Sequence, residues 1–271
     1  MNQPAARTQR VAIGIDVGGT GIKGGALDLA SGELLTPRVK RPTPAGGAPA
    51  AIADTVADIL ARVRGELAES NAGLAESSPV GVCLPAVVRQ GVTLSAANID
   101  PGWIGLDARA LLTERLGAPV AVLNDADAAG VAEARLGAAA GLPGTTIVTT
   151  FGTGIGSALL HDGVLFPNAE LGHLDLPGYP DIERFASGKA VSRDGLSFRV
   201  WAEHLSRFFG KLEVLFSPDR FVFGGGISRE ADAFLPLVAV DTPILVARFR
   251  NSAGLIGAAL AARDRPAASA G

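Results

Sequence analysis

From residue 11 the chain opens with an apolar run, VAIGIDVG (11–18), of the length of a buried strand. GTGIKGGALDL (19–29) returns as a second strand, and ASGE turns the chain into a third, LLTPRVK (34–40). After the loop PTPAGGAP, apolar positions change period: Ile52, Val56, Ile59, Val63 and Leu67 recur at helical spacing, which predicts a helix with one face on a sheet. PVGVCLP (79–85) and PVAVLND (119–125) read as strands, with the helical stretch LDARALLTERLG between them and Gly117 as its stop.

A small-residue helix, ADAAGVAEARLGAAAG (126–141), follows. Then TTIVTTFGTGIGSALLHDGVLF (145–166) repeats the opening plan: an apolar strand, a Gly/Thr turn, a second strand, a tight turn at Asp162-Gly163 and a third strand. WAEHLSRFFGKLEVLF is an amphipathic helix, RFVFGGGIS a strand ending in a glycine turn, TPILVARF a strand and AGLIGAALAARD a closing helix. One plan used twice predicts two halves of mixed sheet covered by helices, facing each other across a cleft with both glycine turns inward.

Composition narrows this picture. Of 271 residues, 48% are hydrophobic but only 5% aromatic, and 35 are glycine, which suits an aliphatic, tightly turning α/β chain. With 24 Lys+Arg against 27 Asp+Glu, the net charge of −3 provides no global attraction for nucleic acid or an anionic membrane. Cys83, in an apolar run, reads as a small buried hydrophobe, and a single cysteine excludes disulfides and cysteine metal clusters. MNQPAARTQR lacks an apolar signal core and no run reaches a membrane span of about 18 residues, so the expectation is a cytoplasmic protein.

Residues 19–24, GTGIKG, match G-x-G-x-x-G, but that fingerprint needs a helix at the glycines, whereas IKGGALDL continues as a strand. What remains is a turn from Asp16 through Gly18, Gly19 and Thr20 with Lys23 nearby, and a second turn, Phe151-Gly-Thr153-Gly154-Ile-Gly156. Each alone reads as a plain hairpin; paired on one plan, they favour phosphate, which backbone N–H groups and threonine hydroxyls can reach. Asp16 could hold Mg²⁺ through water. LNDAD (123–127) ends a strand with Asn124 and Asp125; an aspartate there can take a proton from an attacking hydroxyl, and Asp125 or Asp127 can equally cap the next helix. ELGH places Glu170 and His173 after the second hairpin and IERFASG supplies Glu183, groups suited to sugar hydroxyls. His161 and His204 read as surface residues.

DVGGTGIKGG, LNDAD, FGTGIGSALLHDGVLFPNAELGH and FVFGGGIS together resemble the ROK family of sugar kinases and repressors. SAANIDPGWIG, PNAELGHLDL, LEVLFSPDRFVFGGGIS and RFRNSAGLIGAALAA resemble its polyphosphate-using glucokinase branch, over about residues 11–262. The resemblance implies an actin-like ATPase (ribonuclease H-like) fold: a small lobe, 1–121, with 252–265 packing back on it, and a large lobe, 122–251. It implies a homodimeric glucokinase that moves a phosphoryl group from polyphosphate or ATP, with Mg²⁺, to the 6-hydroxyl of glucose. Asp125 would be the general base; Asn98, Asn124, Glu170, His173 and Glu183 would contact sugar; Asp16, Gly18, Gly19, Thr20, Lys23, Thr153 and Gly154 would face phosphates, with Gly225 and Gly226 near adenosine. Many relatives carry a zinc-binding cysteine cluster after the histidine; LDLPGYPDIE (174–183) has no cysteine, so no zinc is expected and His173 must be oriented otherwise.

The alternatives are an ATP-only kinase for mannose, fructose or an N-acetylhexosamine, and a non-catalytic sugar sensor. A repressor would need a DNA-reading module ahead of the strand that starts near residue 11. For the donor, Arg184, Lys189, Arg193, Arg199, Arg207 and Lys211 form a basic stretch that reads as a solvated helix face or as a guide for a phosphate chain.

Overall fold

The computed structural model describes residues 10–96 and 99–264. Asn98 therefore lies outside the described residues. The chain forms two compact units: the chain through Ala128 together with the segment from Gly254, and Ala129–Ala253.

In the first unit, β1 (Val11–Val17) pairs antiparallel with β2 (Gly21–Asp28), and β2 with β3 (Val39–Pro42). The expected third strand over 34–40 is displaced. Leu34 makes only an isolated bridge to Leu27 before Pro37, which has no N–H to give a ladder, and pairing resumes at Val39. Helix α1 (Pro49–Ser77) buries Ile52, Val56, Ile59, Val63 and Leu67, the positions that set its period. β4 (Val80–Leu84) then lies parallel to β1; a short ribbon follows, β5 (Val88–Arg89) with β6 (Val92–Thr93). Helix α2 (Ala108–Leu116) starts at the Asp107 side-chain cap and stops at Gly117, whose φ of 61° is the left-handed stop the sequence predicted. β7 (Val120–Asn124) completes the sheet β3-β2-β1-β4-β7.

Helix α3 (Asp125–Arg135) runs on into the second unit. It is shorter than its small-residue pattern suggests. The buried Glu133 carboxylate accepts from Ala138 N, Arg248 N and Phe249 N, which draws the chain off the helical path. β8 (Thr145–Phe151), β9 (Ile155–His161) and β10 (Val164–Phe166) form the second meander, with Asp162 (φ 49°) and Gly163 (φ 75°) making the predicted tight turn. Two short helices, α4 (Glu183–Ala186) and α5 (Gly188–Asp194), lead to α6 (Phe198–Phe216). That helix buries Trp201, Leu205, Phe208, Phe209 and Leu212 against β11 (Arg220–Gly224) and Phe151, which stacks on Phe223 at 4.4 Å. After α7 (Ala231–Phe234), β12 (Ile244–Val246) gives the order β10-β9-β8-β11-β12, the same succession of antiparallel and parallel pairs as in the first sheet. The repeat legible in the sequence is thus a repeat of topology.

The closing helix α8 (Ala253–Asp264) packs on the first sheet. Its approach is very close: a Cβ at Gly14 or Gly81 would overlap the carbonyls of Leu255 or Ala258. Glycine on β1 and β4 is what admits the helix, and this sets the N-terminal end of α8 beside Asp16.

Candidate active site

Strand register assembles the first group. Asp16 on β1 pairs with Lys23 on β2 on one side and with Cys83 on β4 on the other, and paired neighbours share a face. Asp16 Oδ2 meets Lys23 Nζ at 3.0 Å, and Cys83 Sγ donates to Asp16 Oδ1 at 3.5 Å. Burial pushes the Cys83 thiol well up, with the Asp16 and Asp125 carboxylates adding to it, so it stays a neutral donor. Gly254 closes over Asp16: a Cβ there would sit 2.7 Å from Oδ2. Between β1 and β2, Gly18 N donates to Gly21 O at 3.0 Å, and Thr43 ties the turn through Gly18 O and Thr20 O. β2 is strand from Gly21 onward, so GTGIKG is no dinucleotide fingerprint.

Cys83 in turn pairs with Leu123 on β7; Asp125, two residues on, is the first residue of α3, and its carboxylate acts on the Cys83 thiol. The helix is capped by Asn124, not by either aspartate alone. Its Oδ1 accepts from Ala126 N at 2.7 Å and Asp127 N at 3.0 Å, while its Nδ2 donates to Ala86 O at 3.1 Å. Asp125 Oδ1 also accepts from Ala126 N, at 2.9 Å. Asn124 therefore spends its amide on backbone and fixes the start of α3, which holds Asp125 in a defined place.

The second group gathers around the Gly152-Thr153-Gly154 turn, closed by Gly152 N to Gly154 O at 3.0 Å. Glu183 Oε2 accepts from Ile155 N at 2.7 Å, and a Cβ on Gly154 would overlap that carboxylate. Lys189 N donates to Gly152 O at 2.9 Å. Gly225 (φ 91°) passes against Phe151 where a Cβ would overlap the backbone, and Gly226 begins the turn after it. Glu183 and the glycine turn are thus one unit of structure.

Glu170 and His173 flank the short 3-10 turn Leu171–His173, which is held down by buried Ser157: its hydroxyl accepts from Leu171 N at 2.9 Å and donates to Ala169 O. His173 Nε2 lies 4.0 Å from Glu170 Oε2, and its Nδ1 lies 3.1 Å from Asp181 Oδ1. Burial raises the Glu170 carboxyl above its ordinary range; the nearby His173 opposes this and Glu183 reinforces it. The Asp181 hydrogen bond raises His173 above its ordinary value. Asp181, Ser157 and Gly254 were missed in the sequence: Ser157 and Gly254 lie in stretches that carry the resemblance, but each of the three acts through a contact set only by folding. His204 corrects its surface reading, since Nδ1 bonds Phe185 O at 2.9 Å and the ring packs on Tyr179.

Two members of the basic stretch are engaged locally. Arg193 pairs with Asp194 and bonds Arg184 O, and Arg207 lies 5.1 Å over the Tyr179 ring. Among the described residues no group of three or more His, Cys, Asp or Glu is arranged to hold a metal, and no helix is long and apolar enough to cross a membrane.

Comparison with known proteins decides the lineage. The ROK family pattern matches residues 12–193. The chain belongs to the ROK family. It is 45% identical over 259 residues, 95% of this chain and 93% of the other, to the polyphosphate glucokinase of Mycobacterium tuberculosis (strain CDC 1551 / Oshkosh). Among solved structures it resembles the inorganic polyphosphate/ATP-glucomannokinase of Arthrobacter sp. strain KM (TM-score 0.83, 49% identity, 92% and 97% of the two chains). It also resembles a ROK family glucokinase of Streptomyces griseus solved with glucose and AMPPNP (TM-score 0.74, 25% identity, 94% and 100%). This ROK chain has the actin-like ATPase fold of those sugar kinases, as expected from the sequence.

Proposed function

We propose that this ROK protein is a glucokinase that transfers a phosphoryl group from inorganic polyphosphate, ATP or both to the 6-hydroxyl of glucose. The observation that carries the reading is 45% identity to a polyphosphate glucokinase across 95% of the chain. Positioning and electrostatics do most of the work in phosphoryl transfer, and the local geometry suits both.

Asp125, fixed by the Asn124 cap, accepts the proton of the attacking hydroxyl. Lys23 and the N–H groups of the two glycine turns stabilise charge on the transferring group. Glu170, His173 and Glu183 hydrogen-bond the sugar; Asn98 is expected to join them, while Asn124 serves chiefly by holding Asp125. Gly225 and Gly226 lie along the backbone that would approach adenosine when ATP is the donor.

The residues fit Mg²⁺, which binds through one or two carboxylates plus substrate phosphates and keeps several waters. Asp16, a partly buried carboxylate paired with Lys23, would hold it through water. When bound, the ion would neutralise negative charge on the donor phosphates. Lys189 is tied by its backbone to Gly152, which suits it to lead a phosphate chain toward the glycine turn, with Arg199 further along the same basic stretch. The same reading makes the protein a cytoplasmic homodimer.

The experiment is a glucose-6-phosphate assay on the purified chain, run in parallel with polyphosphate and with ATP, with glucose and mannose as acceptors. Mannose is included because of the 49% identity to a glucomannokinase. Turnover of glucose with either donor is the expected result. Turnover of neither hexose with either donor would overturn the reading.

A further inference from the structure

The loop between His173 and Glu183 is built more firmly than a surface connection requires. Leu176 and Tyr179 form a miniature bridge, with backbone hydrogen bonds of 3.0 and 2.8 Å in the two directions. The Tyr179 ring packs edge-on against Phe185 at 5.1 Å and His204 at 5.4 Å, with the Arg207 guanidinium over its face. The loop closes where Ile182, fully buried, donates its N–H to Leu174 O at 2.9 Å. A packed ring and a backbone clasp fix both ends of the segment that carries Asp181.

Asp181 itself has φ 51°, in the left-handed region that side chains other than glycine, asparagine and aspartate avoid. The conformation is held from three sides. Asp175 Oδ1 accepts from Asp181 N at 2.7 Å, Asp181 O accepts from Arg184 N at 2.9 Å, and the side chain reaches His173 Nδ1 at 3.1 Å. Strained backbone of this kind persists where the surroundings over-determine it, and the inference runs from the outlier to a role. The next residue but one is Glu183, whose carboxylate lies on the glycine turn. The corner at Asp181 thus stands between two side chains assigned to sugar and is bonded to one of them, His173.

We infer that Asp181 is a positioning residue for sugar recognition: by accepting the His173 Nδ1–H it fixes which ring nitrogen faces the sugar and holds a proton on the imidazole. The inference rests on the reading of His173 as a sugar contact. A carboxylate offers only acceptors, so Nδ1 must carry hydrogen while the bond is made. Nε2 is then the nitrogen left beside Glu170 Oε2, 4.0 Å away. In the imidazolium form Nε2–H donates and Glu170 accepts, a donor and an acceptor side by side, which is the pattern needed to read one hydroxyl in both directions or two adjacent ones. In the neutral form Nε2 can only accept, and the pair becomes two acceptors that compete for hydroxyl protons.

The charged groups facing the ring all favour the first form. Asp181 lies on the loop, Glu170 precedes the 3-10 turn and Glu183 begins α4; each raises the histidine, while partial burial lowers it. A carboxylate lost from beside a histidine shifts its titration by about one to three pH units, and the half-exposed position of this ring calls for the lower figure.

The test is an NMR titration of the His173 ring nitrogens in the intact enzyme without sugar, in wild type, Asp181→Asn and Asp181→Gly. Glycine is at ease at positive φ, so Asp181→Gly removes the carboxylate without the backbone penalty and guards against a variant that fails to fold. In wild type the neutral ring should be the Nδ1–H tautomer and should titrate above the ordinary value of 6.5. Asp181→Asn, which keeps an acceptor oxygen but no charge, should titrate about one unit lower with its tautomer retained, and Asp181→Gly should lose the tautomer preference as well. The glucose KM of Asp181→Gly should rise roughly tenfold with kcat within about threefold of wild type, and in Asp181→Asn the pH profile of KM should shift to lower pH. A ring with the same titration and tautomer in all three proteins would overturn the inference. His173→Gln separates the two readings: an unchanged glucose KM there would remove the histidine from the sugar site, whereas the role of Asp181 is judged on the ring nitrogens.

Discussion

The closest contact around Asp16 gives the sharpest prediction. Gly254, the second residue of α8, would as alanine place a Cβ 2.7 Å from Asp16 Oδ2, 2.9 Å from Cγ and 3.3 Å from Oδ1. Carbon and oxygen in weak contact settle at about 3.3–3.6 Å, so Gly254→Ala forces the carboxylate back by about 0.6–0.9 Å. Its retreat is limited, with Lys23 Nζ at 3.0 Å on one oxygen and Cys83 on the other. Misplacing a reacting or positioning group by 1 Å can cost about 100-fold, so kcat/KM for the phosphoryl donor should fall roughly tenfold to 100-fold. Stability should change less: overpacking costs about 1–3 kcal/mol and alanine regains about 0.5–1 kcal/mol over glycine in a helix. Gly210→Ala on α6, where nothing lies within 4 Å of the new carbon, is the control and should gain that helical increment with unchanged kinetics. Steady-state glucose-6-phosphate formation and urea unfolding measure both. Donor kcat/KM within twofold of wild type in Gly254→Ala would refute the reasoning that Asp16 is held in a catalytically significant position.

Asp125→Asn should retain glucose binding by calorimetry and lose turnover by a factor of about 10²–10⁴, the range of general-base catalysis; wild-type turnover would remove the proton acceptor role. Glu170 has a folded pKa raised by burial, so its contribution to stability is full below the ordinary carboxylate range and is lost as pH rises through the folded value. Glu170→Gln should therefore gain stability relative to wild type as pH rises from the ordinary carboxylate range through the raised folded value in urea titrations, and a gap independent of pH would contradict the raised value. Replacing Lys189 and Arg199 together by Gln should raise KM for polyphosphate at least about threefold while leaving KM for ATP near wild type, because successive phosphates need successive cations; equal effects on the two donors would make the stretch ordinary surface charge.

Local pattern carried much of the fold. The five apolar positions of α1, the Gly117 stop, the Asp162-Gly163 turn and the glycine turns at 18–20 and 152–154 were all legible, because period and turn chemistry are properties of neighbouring residues. Pairings across long sequence separations were not. Nothing near Asp16 in the chain announces Cys83, 67 residues away, or Gly254, whose proximity depends on α8 settling onto Gly14 and Gly81. Asp125 or Asp127 was read as the cap of the helix after LNDAD; the folded chain gives that place chiefly to Asn124, with Asp125 sharing the Ala126 N–H. The need for another group to orient His173 was evident from LDLPGYPDIE, but its identity depended on a left-handed corner that the sequence does not mark.

The two sheets also indicate where the chemistry was added to the scaffold. Counting back one pair from each glycine turn, Asp16 faces Lys23 in the first repeat, and Thr150 faces Gly156 in the second. The ion pair belongs to one copy only; equivalent positions in the other are neutral and cannot provide it. Conversely, the first repeat passes from β3 to α1 in six residues, whereas the second inserts 31 residues between β10 and α6. Glu170, His173, Asp181 and Glu183 all lie in that insertion, and Glu183 returns to the Ile155 N–H at the end of the glycine turn. The repeated topology supplies two equivalent turns, one beside a charged strand pair and the other beside an inserted, clasped loop. On this reasoning the unit to exchange between ROK kinases of different sugar preference is the whole segment from 167 to 197, because His173 without its Asp181 corner would lose both its tautomer and its direction.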